Sequence, residues 1–223
     1  MHLMQLLNSL DELLYAIMSW LIFYPLTLWR TLRSPASMMR YADRELADDV
    51  EDRYADTVSP PLFLLLSVLL SHGIELALIG DSPLIRNQRG LSVLVSDDTS
   101  LIMMRMIFFG FFPLIMATRL VRLRGASLSH QSLKQPFYAQ CYVTAPFALL
   151  NGLAATLVQY HQWQGAKELA LALVVVAFLW YLTVQARWFA DSLGTSLAKG
   201  LLHAIVATVG ALLIIILMTP VFA

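Results

Sequence analysis

The sequence predicts an all-α, polytopic integral membrane bundle: five transmembrane helices plus an N-terminal in-plane amphipathic helix. Three observations predict it. Five long apolar runs organise the chain, Pro61–Gly80, Leu101–Thr118, Phe137–Tyr160, Leu169–Gln185 and Leu197–Phe222. A bilayer core about 30 Å thick needs about 20 apolar residues in helix. Five such runs in 223 residues leave a soluble fold too few polar residues to cover them. Composition agrees, with 58% hydrophobic and 13% charged residues, where a soluble domain carries about 25% charged. The third observation is an alternation of loop charge. Arg30, Arg33, Arg40, Arg44 and Arg53 precede the first span; Arg119, Arg122, Arg124 and Lys134 lie between the second and third; Arg187 and Lys199 lie between the fourth and fifth. The opposite side has only Arg86, Arg89 and Lys167. Basic residues in short loops stay cytoplasmic, so the N-terminus is expected inside and the C-terminus outside.

Residues 1–59 read as a cytoplasmic and interfacial region, and 60–223 as the transmembrane domain. Over 3–24, Leu3, Leu7, Leu10, Leu14, Ile17, Leu21 and Tyr24 recur at three- and four-residue steps, with Gln5, Asn8, Asp11 and Glu12 on the opposite arc. That pattern predicts an amphipathic helix in the plane of the interface, with Trp20 and Trp29 at headgroup depth. Leu13–Trp29 is free of charge and would also suit a sixth span, but Pro25 and its shortness favour the in-plane helix. No positively charged segment precedes it, so a signal peptide is not expected. Ser34-Pro35 predicts an N-cap and first helical position, opening a charged helix over 35–56 with Arg44/Asp48 and Asp49/Arg53 pairs. Its acidic residues offer a docking surface for a basic protein partner. Ser59-Pro60-Pro61 ends that helix and starts the first span.

The loops follow from their composition. Asp81–Ser100 is an outer loop whose tip, with Leu91–Val95, suits a short strand or an interfacial segment. Leu120–Leu133 is a basic inner loop broken at Gly125, and Tyr160 and Trp163 anchor an outer turn. Trp180, Tyr181 and Trp188 are expected as interface aromatics at the inner end of the fourth span. Gly194 and Gly200 loosen the start of the fifth span, and Pro220 ends it. Gly200, Ala204, Ala207, Thr208 and Ala211 form a small-residue face for close helix contact. Pro113 and Pro146 are expected to kink spans two and three. The single cysteine, Cys141, excludes an internal disulfide and reads as a small packing residue.

Ionisable residues within spans are the functional candidates, because a charge at mid-bilayer is expensive. His72 and Glu75 share a helix face at i,i+3. Glu75 is late in an outward-running span and Arg105 early in an inward-running one, so the two fall at similar depth and can pair. His72 is the group that would titrate near neutrality. His72, Glu75, Arg105 and the polar Asn151 are the candidate substrate-binding or proton-linked residues. His203 is expected to hydrogen-bond between helices. His72-x-x-Glu75 reverses the spacing of di-iron bundles, but those need further carboxylates inside the bundle, so no metal site is expected. There is no Walker loop, GxSxG elbow, HExxH or dinucleotide fingerprint, so no catalytic residue, cofactor or nucleic-acid partner is expected, the last also because net charge is zero.

The stretch SPPLFLLLSVLL opening the first span, the in-plane N-terminal segment, the proline-punctuated charged helix and five spans with an outside C-terminus resemble the Yip family and its bacterial permease-like relatives. Eukaryotic members of that family act with Rab GTPases in membrane traffic. Twelve arginines against three lysines suit a GC-rich bacterial genome, so the resemblance implies a permease-like or membrane-organising protein of a bacterial inner membrane. Its partners would be the bilayer and a protein partner or a second copy of the chain.

Overall fold

The third apolar run forms the central helix of the bundle, and its residues explain why. From Ala139 to Leu149 every side chain is buried, which a lipid-facing helix could not achieve. Ala139, Cys141, Ala145 and Ala148 are small enough to let neighbours close in on several sides, the usual basis of helix contact in a bilayer. The same stretch carries Gln140, Tyr142 and Thr144, all at 0% exposure, because only a helix shielded from lipid can hold polar groups at that depth.

The computed structural model describes residues 2–47, 53–80, 98–160 and 162–221. Among them are seven helices: α1 (His2–Arg33), α2 (Pro35–Glu45), α3 (Pro60–Ile79), α4 (Asp98–Leu123), α5 (His130–Gln159), α6 (Ala166–Leu193) and α7 (Leu197–Val221). Five of them, α3 to α7, are long and apolar enough to cross a membrane. Around the central α5 the others pack in the order α3, α4, α7, α6, α2 and α1. Apolar side chains such as Leu171, Leu179, Leu202 and Leu217 are exposed on the outer surface, as lipid contact requires. The loop containing Arg86, Arg89 and the expected strand lies outside the described residues, as do Asp48 and Asp49.

The ends of the helices follow local chemistry. Ser129 and Ser132 form a reciprocal capping box at the start of α5, which extends this helix well before Phe137. After α4, Gly125 adopts φ 70°, and the Gly125 and Ala126 amides bond back to Arg122 and Val121. Gly194 does the same for α6 at φ 59°, a left-handed cap that a residue without Cβ adopts cheaply.

The N-terminal region departs from expectation in three ways. α1 does not end at Tyr24 but runs through Pro25 to Arg33. It also flanks α3 instead of lying across the end of the bundle. Thr27 Oγ1 accepts from the Val58 amide at 3.1 Å, Tyr24 meets Ser67 at 3.0 Å, and Ile17 and Leu21 face Gly73 and Ala77 across an apolar groove of about 500 Å³. These polar contacts tie α1 to α3 and to the segment before it. The charged helix, expected over 35–56, ends at Glu45, and the chain turns through Tyr54 at φ 59°. That turn is held by the Glu45 carboxylate, which accepts from the Tyr54 amide at 2.5 Å. Arg53 donates to the Leu46 carbonyl at 3.2 Å.

Interface aromatics were expected near the inner end of α6, and two of the three face inward instead. Tyr181 is fully buried and stacks on Phe147 at 4.5 Å; Trp188 is 6% exposed. Gly200 does not loosen α7. It brings α7 against the α6 backbone, with Ala204, Ala207, Thr208 and Ala211 buried along the same face. Cys141 is a buried packing residue.

Asp43 yields a prediction about pH. Burial pushes its carboxyl up to about 6 from an ordinary 3.8, against the opposing pull of Gln135 and Arg124. A carboxyl raised in the folded state gives stability that is complete below the unfolded pKa and is lost as pH rises through the folded one. The thermal midpoint of the wild type in detergent is therefore expected to fall, relative to Asp43→Asn, between about pH 4 and about pH 6. Parallel pH profiles for the two proteins would refute this.

Candidate functional site

Three helices meet at the end of the bundle where α3 finishes, α4 begins and α5 finishes. α3 has no strongly polar face over most of its length, so its His72 and Glu75, both on the α5-facing side, stand out at 3% and 1% exposure. Arg105, eight residues into α4, reaches across to them. Its Nη2 donates to Glu75 Oε2 at 2.5 Å, and its Nη1 lies 3.4 Å from His72 Nδ1. His72 Nδ1 is also 3.6 Å from Glu75 Oε2. The pairing expected from depth alone is present.

Two more residues join the site. Asp98 Oδ1 stands 3.5 Å from His72 Nε2, and Gln159 Nε2 approaches Glu75 Oε1 at 3.4 Å. With Nδ1 accepting from Arg105, a neutral His72 ring carries its proton on Nε2, facing the Asp98 carboxylate. Asp98 has a half-exposed side chain, whereas Glu75 is buried, so the cluster runs from water inward. Glu75 and Asp98 address opposite nitrogens of the imidazole and so do not converge on one point. Among the described residues no three such side chains are placed to hold a metal ion.

Asp98 was assigned to the outer loop and Gln159 to the end of a span, and neither was singled out. The clue for Asp98 was its spacing of seven from Arg105, two helical turns on one face. The clue for Gln159 is its position at the end of the third apolar run, the end that the same depth argument sets beside Glu75.

Asn151 does not touch the ion cluster. Its Nδ2 donates to the Phe147 carbonyl at 2.8 Å, and it borders a cavity of about 220 Å³ shared with Arg105. The cavity lies between α4, α5, α6 and α7, walled by five phenylalanines and closed on the α7 side by Leu212 and Ile215. Phe147 organises the wall, meeting Phe178 edge-on at 4.9 Å and Phe112 at 5.2 Å. Arg105 is thus shared by two environments, a carboxylate on one side and an aromatic cavity on the other.

Two polar contacts lie away from the site. His203 bonds between helices as expected, its Nδ1 at 3.0 Å from Arg119 Nη2 of α4. Gln140 and Gln185 form a reciprocal amide pair between α5 and α6, both fully buried, with Gln140 Nε2 donating at 3.0 Å. Each stands near the edge of an apolar run, where a glutamine attracts no notice in sequence. Comparison of the chain with family models, with characterised proteins and with solved structures gave no match.

Proposed function

We propose that this chain is a permease-like protein of a bacterial inner membrane, without enzymatic activity, that moves a small solute coupled to protons through the Glu75 site. One observation carries the reading: a buried carboxylate held by an arginine that also borders a cavity. A buried ion pair is a costly way to fix helix register, since apolar side chains of similar volume do as well or better. A titratable carboxylate with a polar path to the surface through His72 and Asp98 has a use in proton coupling that packing does not supply. The loop charges support an N-terminus in the cytoplasm and a C-terminus outside, and the likeness to the Yip family fits the same topology.

A scaffold role through residues 35–56 has weaker support. The described acidic groups there are engaged within the chain. Glu45 holds the Tyr54 amide, and Asp56 takes Arg30 at 2.8 Å and Tyr41 at 2.5 Å. Those two donors keep the Asp56 carboxyl below its usual range.

The test is proton flux. The purified full chain is reconstituted into vesicles containing a trapped pH dye, with acid outside, and offered organic anions, amino acids, amines and sugars in turn. At least one class is expected to accelerate internal acidification, and Glu75→Gln to abolish the acceleration. Internal pH that follows protein-free vesicles with every class would overturn the reading.

A further inference from the structure

The cavity beneath Arg105 has a defined chemistry. Its walls are mostly aromatic and aliphatic, and among the described residues Arg105 is the only charged side chain lining it. A guanidinium at the mouth repels an organic cation and attracts a carboxylate, which it can grip with two parallel N–H bonds. Phenylalanine edges and faces favour a flat ring as the apolar body of the ligand. There is room for a ring: a cavity of about 150 Å³ accepts benzene, and this pocket offers about 220 Å³, enough for one ring with a small polar head. Asn151 commits one amide hydrogen to the Phe147 carbonyl, and an amide carries two.

We propose that this cavity binds a small aromatic monocarboxylate, and that protonation of Glu75 is what admits it. The proposal deepens the proton-coupled reading above and rests on it for transport, but not for binding. In the charged state the Glu75 carboxylate holds Arg105 at 2.5 Å and competes with any incoming anion. When Glu75 takes a proton, the guanidinium loses its counter-charge and the ligand carboxylate replaces it. One proton and one anion then enter together, so the site returns to the same net charge. The groups facing Glu75 among the described residues include His72 on α3 and Arg105 on α4, with Asp98 behind His72, and the neutral Gln159 on α5.

The experiment is equilibrium binding of labelled benzoate to the detergent-purified full chain in acidic and in alkaline buffer. Wild type is expected to bind benzoate in acid and to lose about tenfold in affinity in alkali. Glu75→Gln is expected to bind equally well in both. Leu212→Trp and Asn151→Phe, which fill the cavity from different helices, are expected to lose binding while retaining the wild-type melting temperature. Benzylammonium is expected not to bind. Absence of benzoate binding to folded wild type, binding unchanged in both cavity-filling variants, or equal binding of benzylammonium would each overturn the site. A pH dependence that survives in Glu75→Gln would overturn the role of Glu75. Benzoate binding with no solute class driving acidification of vesicles would leave this site standing and remove the permease reading; flux with another solute and no benzoate binding would do the reverse.

Discussion

Arg105→Gln is expected to destabilise the folded protein by about 3 kcal/mol, the low end for breaking a buried ion pair by removing one partner. The cost arises from what is left behind. Glu75 is 1% exposed, and without the guanidinium its charge loses its cationic partner, while the Gln159 amide and the His72 ring stay beside it. It must then either stay charged in a poor environment or take a proton, so the loss is expected to shrink in acidic buffer. Glu75→Gln/Arg105→Gln removes both charges and is expected to recover most of the stability, because two neutral amides can bond to each other. Unfolding in mixed detergent, followed by helical circular dichroism, measures all three variants. A double variant as unstable as Arg105→Gln alone would mean that the arginine acts through packing and not through its charge. Arg105→Lys keeps a charge on a narrower head, and is expected to fall between wild type and Arg105→Gln, since Arg105 addresses Glu75 and His72 through two different nitrogens.

The same pair shows what can be read from this sequence. Its meeting followed from two elementary facts, the direction of each span and the position of each residue along it, and needed no side-chain geometry. The five crossing helices were equally legible, because bilayer thickness fixes the length of an apolar run. Direction and depth say nothing of rotation about the helix axis, and that is where expectation failed. Tyr181 and Trp188 lie toward the end of an apolar run, where aromatics are expected at headgroups, but Tyr181 stacks on Phe147 of α5 and both side chains are buried. Asp98 was hidden for a related reason: a charge at the edge of an apolar run reads as loop, although the helix continues through it. The course of α1 was set by single hydrogen bonds from Tyr24 and Thr27, and no periodicity encodes those. The cavity beside Arg105 depends on how four helices diverge, so only its ingredients were visible: a run of phenylalanines on α4 and an asparagine on α5.

Gly200→Leu is expected to separate α7 from α6 and to leave little folded protein. Even the first carbon has no room, since a Cβ at this position would lie 2.2 Å from the Ala186 carbonyl oxygen and 2.9 Å from the Ala190 nitrogen. Both are backbone atoms of α6, so no rotamer change relieves the clash and the helices themselves must move. Gly200→Ala isolates that effect. Overpacking costs about 1–3 kcal/mol, offset by about 1 kcal/mol of helix propensity gained over glycine, for a net loss of up to about 2 kcal/mol. Gly73→Ala on α3 is the matched control. Its added Cβ meets nothing within 4 Å, so the propensity gain stands alone and the protein is expected to be slightly more stable. Unfolding midpoints measured side by side in one detergent decide the matter, and equal midpoints for Gly200→Ala and Gly73→Ala would refute the close contact. The consequence reaches beyond stability. His203 lies one turn beyond Gly200 and bonds to Arg119 at 3.0 Å, and the same helix brings Leu212 and Ile215 to the wall of the aromatic cavity. A displacement of α7 at Gly200 is therefore expected to weaken benzoate binding in Gly200→Ala, although the substitution is far from the cavity and touches none of the groups that line it.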